Sequence, residues 1–171
     1  SLLKGIEVDN SLTRQDIERR RAQLERDPVE WIRFFFPAYA KYEFATFHVR
    51  AIRRIIANDE WYEVLSWSRE LAKSTVAMFV IMYLALTRRK RFLLPFKINF
   101  ESNPRIRQFY GEQPTVGQWT DSEFSCRCGA KFIALGAGSA PRGMRNEAIR
   151  PDVLYFDDYD TDEDCRNPVT L

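Results

Sequence analysis

Apolar residues in the first third of the chain recur at the three- and four-residue spacing of amphipathic helices. This pattern predicts helices over residues 14–26, 29–36 and 47–58, and the first of them is polar and rich in arginine. Residue types that favour helix starts precede each one: Thr13 with Asp16, Asp27 with Pro28, and Thr46. Residues 1–60 are therefore expected to form a helical region.

The pattern changes in residues 61–171, where short apolar runs alternate with loops. The predicted elements are a strand over 62–67, a buried helix over 74–87, part of a helix over 96–102, a short helix over 103–111, a hairpin that turns at Gly129-Ala130, and a strand over 151–158. Residues 91–94 are just long enough for another strand, but Pro95 follows at once. The mixture of helices and strands predicts an α/β core.

The stretch Trp67-Ser68-Arg69-Glu70-Leu71-Ala72-Lys73-Ser74-Thr75 joins the first predicted strand to the buried helix. A strand, a tight loop ending in Lys-Ser and a buried helix form the layout of a phosphate-binding loop. In that layout the lysine reaches the terminal phosphates of a triphosphate and the serine ligates Mg²⁺. Lys73 and Ser74 hold these places, but Trp67 and Ala72 stand where glycines are usual. The alternative interpretation is an ordinary strand-to-helix turn with a surface lysine.

A second stretch, from Pro151 to Asp158, is apolar and ends in paired carboxylates. A triphosphate site needs such a pair opposite its loop, because one carboxylate holds Mg²⁺ and the other polarises the attacking water. Asp157 is the candidate for the metal, together with Ser74, and Asp158 is the candidate for the water. The two stretches together predict binding of ATP with Mg²⁺.

Composition adds little to this prediction. The 171 residues suffice for one domain, and a net charge of +2 does not by itself indicate a partner. Arginines cluster at 19–21, 53–54 and 88–91, which is compatible with a polyanion partner but more often marks a solvated face. Cys126, Cys128 and Cys165 lack the second ligand pair of a zinc site, so reduced thiols are expected. No apolar run is long enough to span a bilayer, and we expect a soluble intracellular protein.

With both halves of the site in view, the sequence resembles the ATPase domain of the large terminase subunit, the DNA-packaging motor of tailed bacteriophages. The resemblance rests on residues 68–75, on Gly138-Ser139-Ala140-Pro141-Arg142-Gly143-Met144-Arg145, and on Arg150-Pro151-Asp152 leading into Asp157-Asp158. It implies a three-layer P-loop sandwich with a mostly parallel sheet. In this arrangement residues 61–171 form the ATPase core, with its β-hairpin, and residues 1–60 form the helical region before it.

The resemblance also implies roles for single residues. The nucleotide would lie on Ser68, Arg69, Glu70, Leu71, Ala72, Lys73, Ser74 and Thr75. Lys73 would neutralise the β- and γ-phosphates. Asp158 stands where many relatives have a glutamate that orients the attacking water. Because aspartate is one methylene shorter, Glu163 is the alternative helper.

Two arginines and two aromatic side chains complete the implied site. Arg69 would stabilise charge on the γ-phosphate within its own subunit, and Arg142 would reach a neighbour's nucleotide in a ring, a role worth about 10³ to 10⁵ in rate. For Arg142 the alternative is a loop arginine paired with Asp152 or Glu147. Phe47 and His48 are candidates for contact with adenine, and the alternative for His48 is the more usual role of a helix-packing residue.

The expected function is a motor that hydrolyses ATP to drive double-stranded DNA into a procapsid, with contacts to DNA phosphates and not to particular bases. The implied partners are other copies of the chain in a ring, the portal protein and the small terminase subunit, in the host cytoplasm and away from membranes. The alternatives are an assembly module that binds nucleotide without hydrolysis, and a helicase-like ATPase outside packaging.

The chain departs from the family in two places. Relatives have a further strand and helix after the phosphate-loop helix, whereas here Leu94 leads straight into Pro95, so either this protein is naturally shortened or residues are missing at that point. No carboxylate cluster for two-metal nuclease chemistry is visible, and we expect no nuclease activity from this sequence.

Overall fold

The computed structural model describes residues 6–68, 70–90, 92–93, 97–120, 123–134 and 152–156. The helices in these residues are α1 (Arg14–Leu24), α2 (Pro28–Phe35), α3 (Thr46–Ala57), α4 (Lys73–Leu86), α5 (Lys97–Ser102) and α6 (Pro104–Tyr110). The strands are β1 (Phe92–Leu93), β2 (Pro114–Trp119), β3 (Glu123–Cys126) and β4 (Lys131–Ile133). Helices α1, α2 and α3 lie within two residues of the helices that the sequence predicts over 14–26, 29–36 and 47–58.

Helix starts follow the local sequence signals. Thr13 and Asp16 form the predicted capping box of α1, and the Asp27 carboxylate accepts from the Val29 N–H at 2.9 Å at the start of α2. The Asn103 side chain likewise caps α6. The prediction for α3 is wrong by one residue, because the cap position is Ala45 and Thr46 is already helical.

Helix α4 is the centre of the hydrophobic core. Every residue from Val76 to Leu86 is buried, so this helix is apolar on all sides and must be covered by other elements. Trp31 of α2 packs edge-on against Tyr83 at 5.3 Å between ring centroids, and its Nε1–H donates to the Tyr110 hydroxyl of α6 at 2.8 Å.

Among the described residues, no helix combines the length and apolarity needed to cross a membrane.

The sheet corrects the predicted fold class. Its order is β1-β4-β3-β2; the pairs β2–β3 and β3–β4 are antiparallel, and only the two-residue strand β1 runs parallel to its neighbour. The predicted hairpin is confirmed as β3 and β4, with Gly129 in its turn at φ 93°. The described part of the chain is thus six helices beside a small, mainly antiparallel sheet, and the predicted three-layer P-loop sandwich with a mostly parallel sheet is wrong.

The reason for this error lies in the two segments for which the sequence predicts strands, 62–67 and 151–158. Residues 61–68 and 152–156 belong to no strand of the described residues. Their side chains nevertheless alternate between exposed and half-buried positions, because Trp67, Val153 and Tyr155 pack against the core while their neighbours face solvent. Alternating exposed and half-buried side chains indicate that one face of an extended segment packs against the core. Such packing does not require a hydrogen-bonded neighbouring strand.

Candidate phosphate-binding loop

The loop before α4 has an unusual backbone. Glu70 has φ 69° and Ala72 has φ 55°, so two non-glycine residues adopt the left-handed conformation on either side of Leu71. Each such residue costs about 1–2 kcal/mol relative to an ordinary conformation. Although Ala72 is not a glycine, the backbone at this place has the conformation for which glycine is usually selected.

This backbone turns the chain directly into α4. Ala72 is the N-cap residue, its carbonyl accepts from the Val76 N–H at 2.8 Å, and Lys73 is the first helical residue. Ser74 and Thr75 follow in the first turn of the helix. The first turn of an α-helix leaves N–H groups without intrahelical acceptors and carries positive partial charge. The predicted lysine and serine therefore lie at the end of α4 where an anion would be stabilised.

Both predicted adenine contacts lie beside this loop. The rings of Phe47 and His48, in the first turn of α3, are 4.1 Å apart between centroids, and each lies close to Trp67, at 5.0 and 5.1 Å. Phe47 is 37% exposed. Trp67 is a residue that sequence reasoning missed, since the sequence presented it only as the occupant of a usual glycine position. We call Phe47, His48 and Trp67 the aromatic cluster.

His48 also bonds to the loop itself. Its Nε2 lies 2.9 Å from the Leu71 carbonyl oxygen, and its Nδ1 accepts from the Ala45 N–H at 3.2 Å. The first of these bonds spans from α3 to the peptide between the two left-handed residues. No sequence signal indicated this bond, because the two partners are far apart in the chain.

Several predicted site residues lie outside the described residues: Arg69, Arg142, Asp157, Asp158 and Glu163. The structure describes the residues just before the carboxylate pair, and Phe156, the last of these, is 64% exposed. The predicted carboxylate strand is not formed over residues 152–156. The catalytic and metal assignments for Asp157 and Asp158 therefore stay predictions.

The arginine runs that were candidates for DNA contact are largely engaged within the described chain. Arg19 pairs with Asp16 at 2.8 Å, and Arg53 lies 3.8 Å from Asp27. Arg54 makes a bidentate hydrogen bond to the Glu63 carboxylate. In the third run, the Arg89 guanidinium lies over the Tyr83 ring, and Lys90 donates to a backbone carbonyl. These contacts are those of a solvated, internally paired surface, and they do not single out a DNA-binding face.

Two of the three cysteines, Cys126 and Cys128, lie in the part of the chain that the structure describes. Within the described residues there is no group of three or more side chains suited to hold a metal ion, and Cys126 and Cys128 are free thiols. Burial raises the pKa of Cys126, while the hydrogen bond from Cys126 lowers the pKa of Cys128. Cys165 lies outside the described residues. The reduced state of these thiols stays a prediction.

A cavity of about 450 Å³ lies away from the loop, between the N-terminal segment, α2 and α6. The guanidinium groups of Arg20 and Arg105 both lie 4.7 Å from the centre of the Phe34 ring there. Arg105 also donates to the backbone carbonyls of Glu7 and Phe34, and burial lowers its pKa. These bonds tie the N-terminal segment to the helices, and we assign the cavity a structural role.

Comparisons of the chain with protein-family models, with curated proteins and with solved structures find no match. Functional conclusions therefore depend on the geometry of the loop and on the resemblance in sequence.

Proposed function

We propose that the chain binds ATP with Mg²⁺ at the loop 68–75 and hydrolyses it. The observation that carries this proposal is the left-handed backbone at Glu70 and Ala72, which brings Lys73 and Ser74 to the first turn of the buried helix α4. Backbone N–H groups at such a turn suit a phosphate, and the lysine ammonium supplies positive charge beside them.

The aromatic cluster supports a nucleotide as the ligand in preference to inorganic phosphate. A nucleobase is flat and stacks on aromatic side chains, a contact worth about 1–3 kcal/mol per base. Phe47 is partly exposed and lies against Trp67, beside the start of the loop. A base stacked on Phe47 and Trp67 of this cluster, with phosphates at the first turn of α4, would engage two ends of one ligand.

The chemistry proposed for hydrolysis follows the resemblance to large terminase subunits. Lys73 would neutralise the terminal phosphates, Ser74 and Asp157 would hold Mg²⁺, and Asp158, or Glu163 in its place, would orient the attacking water. Arg69 and Arg142 would stabilise the charge that develops on the γ-phosphate. In a ring of identical chains this turnover would drive double-stranded DNA into a procapsid, with the portal protein and small terminase subunit as partners.

A second candidate function is nucleotide binding without turnover, in a module that assembles with other subunits. The observation in its favour is that residues 61–68 and 152–156 do not pair as neighbouring strands. Pairing of that kind is how a parallel sheet brings a carboxylate pair opposite a phosphate loop. The helicase-like alternative has no observation of its own in its favour.

The direct test is Lys73→Ala, with Lys41→Ala as a control at an exposed lysine in the loop between α2 and α3. A hydrogen bond to a charged group contributes about 1.5–3 kcal/mol, so its loss in Lys73→Ala should weaken MgATP binding roughly 10- to 100-fold. Hydrolysis by this variant should fall to background level. Binding is measured by titration calorimetry and turnover by phosphate release. Equal affinity in the two variants would contradict the proposed site, and binding without turnover in the wild type would favour the module.

The motor role has a separate test with DNA duplexes of unrelated sequence. Contacts to phosphates predict an affinity that falls steeply with salt and hardly changes from one duplex to another. Fluorescence anisotropy across a salt series measures both properties. Tight binding to one sequence that is insensitive to salt is the result that contradicts this role.

A further inference from the structure

We infer that His48 is a positioning residue for the phosphate loop, which it holds through the Leu71 carbonyl, and not a contact to the base. This inference rests on the proposed binding of ATP at the loop. His48 lies in the first turn of α3, and Leu71 lies between the two left-handed residues that precede α4. The imidazole ring therefore connects the start of one helix to the turn that starts another.

The hydrogen bonds of the ring fix its tautomer. Nδ1 accepts from the Ala45 N–H at 3.2 Å, so this nitrogen carries no proton. In the neutral ring the proton is then on Nε2, which donates to the Leu71 carbonyl oxygen at 2.9 Å. With both nitrogens engaged, the ring cannot rotate about its axis without losing one of the two bonds.

Other contacts of this peptide are weak. The Leu71 N–H donates to the Ser68 carbonyl at 3.4 Å, which is long for such a bond, and the Leu71 side chain is 40% exposed. Residues in the left-handed conformation persist only where the surroundings hold them. Among the described residues, the bond from His48 at 2.9 Å is the shorter of the two hydrogen bonds to the backbone of Leu71, the residue between Glu70 and Ala72.

Helix α3 also holds the chain that leads to the loop. Arg54, two turns after His48, makes its bidentate bond to Glu63, and the Trp61 indole N–H donates to the same carboxylate at 2.5 Å. Residues 61–68 have no ladder hydrogen bonds of their own. Helix α3 thus replaces a neighbouring strand as the support of this segment, with Arg54 at its start and His48 at its end.

Three substitutions separate the two hydrogen bonds of the ring. His48→Gln places an amide donor near the position of Nε2, His48→Asn places an acceptor near Nδ1, and His48→Phe keeps the ring without either polar atom. The affinities for MgATP and for adenosine are measured for each variant, the latter by competition, and Lys73→Ala is measured alongside.

Loss of the bond to Leu71 predicts about 3- to 10-fold weaker MgATP binding for His48→Asn and His48→Phe, with His48→Gln within about twofold of the wild type. The affinity for adenosine should stay the same in all three, because a positioning residue acts on the phosphates alone. The melting temperature of each ligand-free variant shows whether it folds, and the Asn and Gln variants serve if the Phe variant does not.

Two results would overturn the inference while leaving the proposed site intact: wild-type affinity in His48→Asn, or a parallel loss of adenosine and MgATP affinity, which would make His48 a base contact. A Gln variant as weak as the Asn variant would also count against it. If the wild type does not bind MgATP, or if Lys73→Ala binds it equally well, the proposed function fails and the inference fails with it.

Discussion

The aromatic core and the loop before α4 differ in how many contacts hold each residue. In the core, Trp31 packs against Phe35 at 4.7 Å and Tyr83 at 5.3 Å, and its indole N–H bonds to Tyr110. In the loop, residues 68 and 70–72 are exposed, and the described backbone hydrogen bonds of Leu71 are one from His48 at 2.9 Å and one to Ser68 at 3.4 Å.

The difference shows where a single substitution acts. A core residue with many neighbours contributes to global stability, because removing it leaves a cavity that the close-packed interior cannot fill. A loop residue with one or two contacts contributes to local geometry, and its loss leaves the core in place. Stability and ligand binding should therefore respond to different substitutions in this chain.

The largest expected effect is that of Trp31→Ala. Trp31 is fully buried, so the free energy of unfolding should fall by about 3–5 kcal/mol, as for other large-to-alanine substitutions in cores. The control is Trp61→Ala, since Trp61 is 49% exposed and should cost less than about 1 kcal/mol. Urea denaturation followed by circular dichroism measures both. Similar losses for the two tryptophans would contradict the assignment of the core.

A smaller effect, with a sign that depends on the side chain, is expected at Ala72. Ala72→Gly removes the clash of a Cβ atom in the left-handed conformation but adds freedom to the unfolded chain, so the free energy of unfolding should rise by at most about 1 kcal/mol. Ala72→Val should lower it by about 1 kcal/mol, because a β-branched residue fits this conformation poorly. A stabilising valine in the same denaturation assay would show that residue 72 is not left-handed.

The smallest effect concerns the start of α1. Hydrogen bonds from Thr13 hold the pKa of the exposed Asp16 carboxyl below its ordinary value of 3.8. The stability that this carboxylate contributes is thus present above pH 3.8 and is lost as the pH falls through the lower pKa of the folded state.

Asp16→Asn should consequently lower the melting temperature slightly above pH 3.8, and this difference from the wild type should shrink as the pH falls through the lowered pKa of the folded state. Thr13→Ala, which removes the hydroxyl from the same capping box, should reduce the same pH dependence. A difference in melting temperature between wild type and Asp16→Asn that grows as the pH falls would contradict this mechanism.

The parts of the fold that sequence predicted correctly are set by neighbouring residues. Asp27 with Pro28, Asn103 with Pro104, and the turn at Gly129 act within a few positions, so their signals are visible in a short stretch. The prediction of a parallel sheet required partners far apart in the chain. The alternation in residues 61–68 shows one buried face, and it does not show that helix α3 lies there in place of a strand.

In the candidate site, too, the features set by neighbouring residues were predictable and those set by distant segments were not. The place of Lys73 and Ser74 at the start of a buried helix was predictable, because the apolar run after them forms a local pattern. The left-handed backbone at Glu70 and Ala72 was hidden, since neither residue is a glycine. The contact of Trp67 with Phe47 and the bond from His48 to Leu71 join distant segments, and only the tertiary arrangement brings them together.

Helix α4 belongs to both regions, because Lys73 begins it at the loop and residues 76–86 lie in the core. Its buried amide protons should therefore exchange with deuterium only when the whole domain unfolds, whereas those of the exposed residues 68, 70 and 71 should exchange through local opening. A ligand bound at the start of α4 would slow exchange at residues 70 and 71 first, and the slowest protons of α4 would still report the global stability.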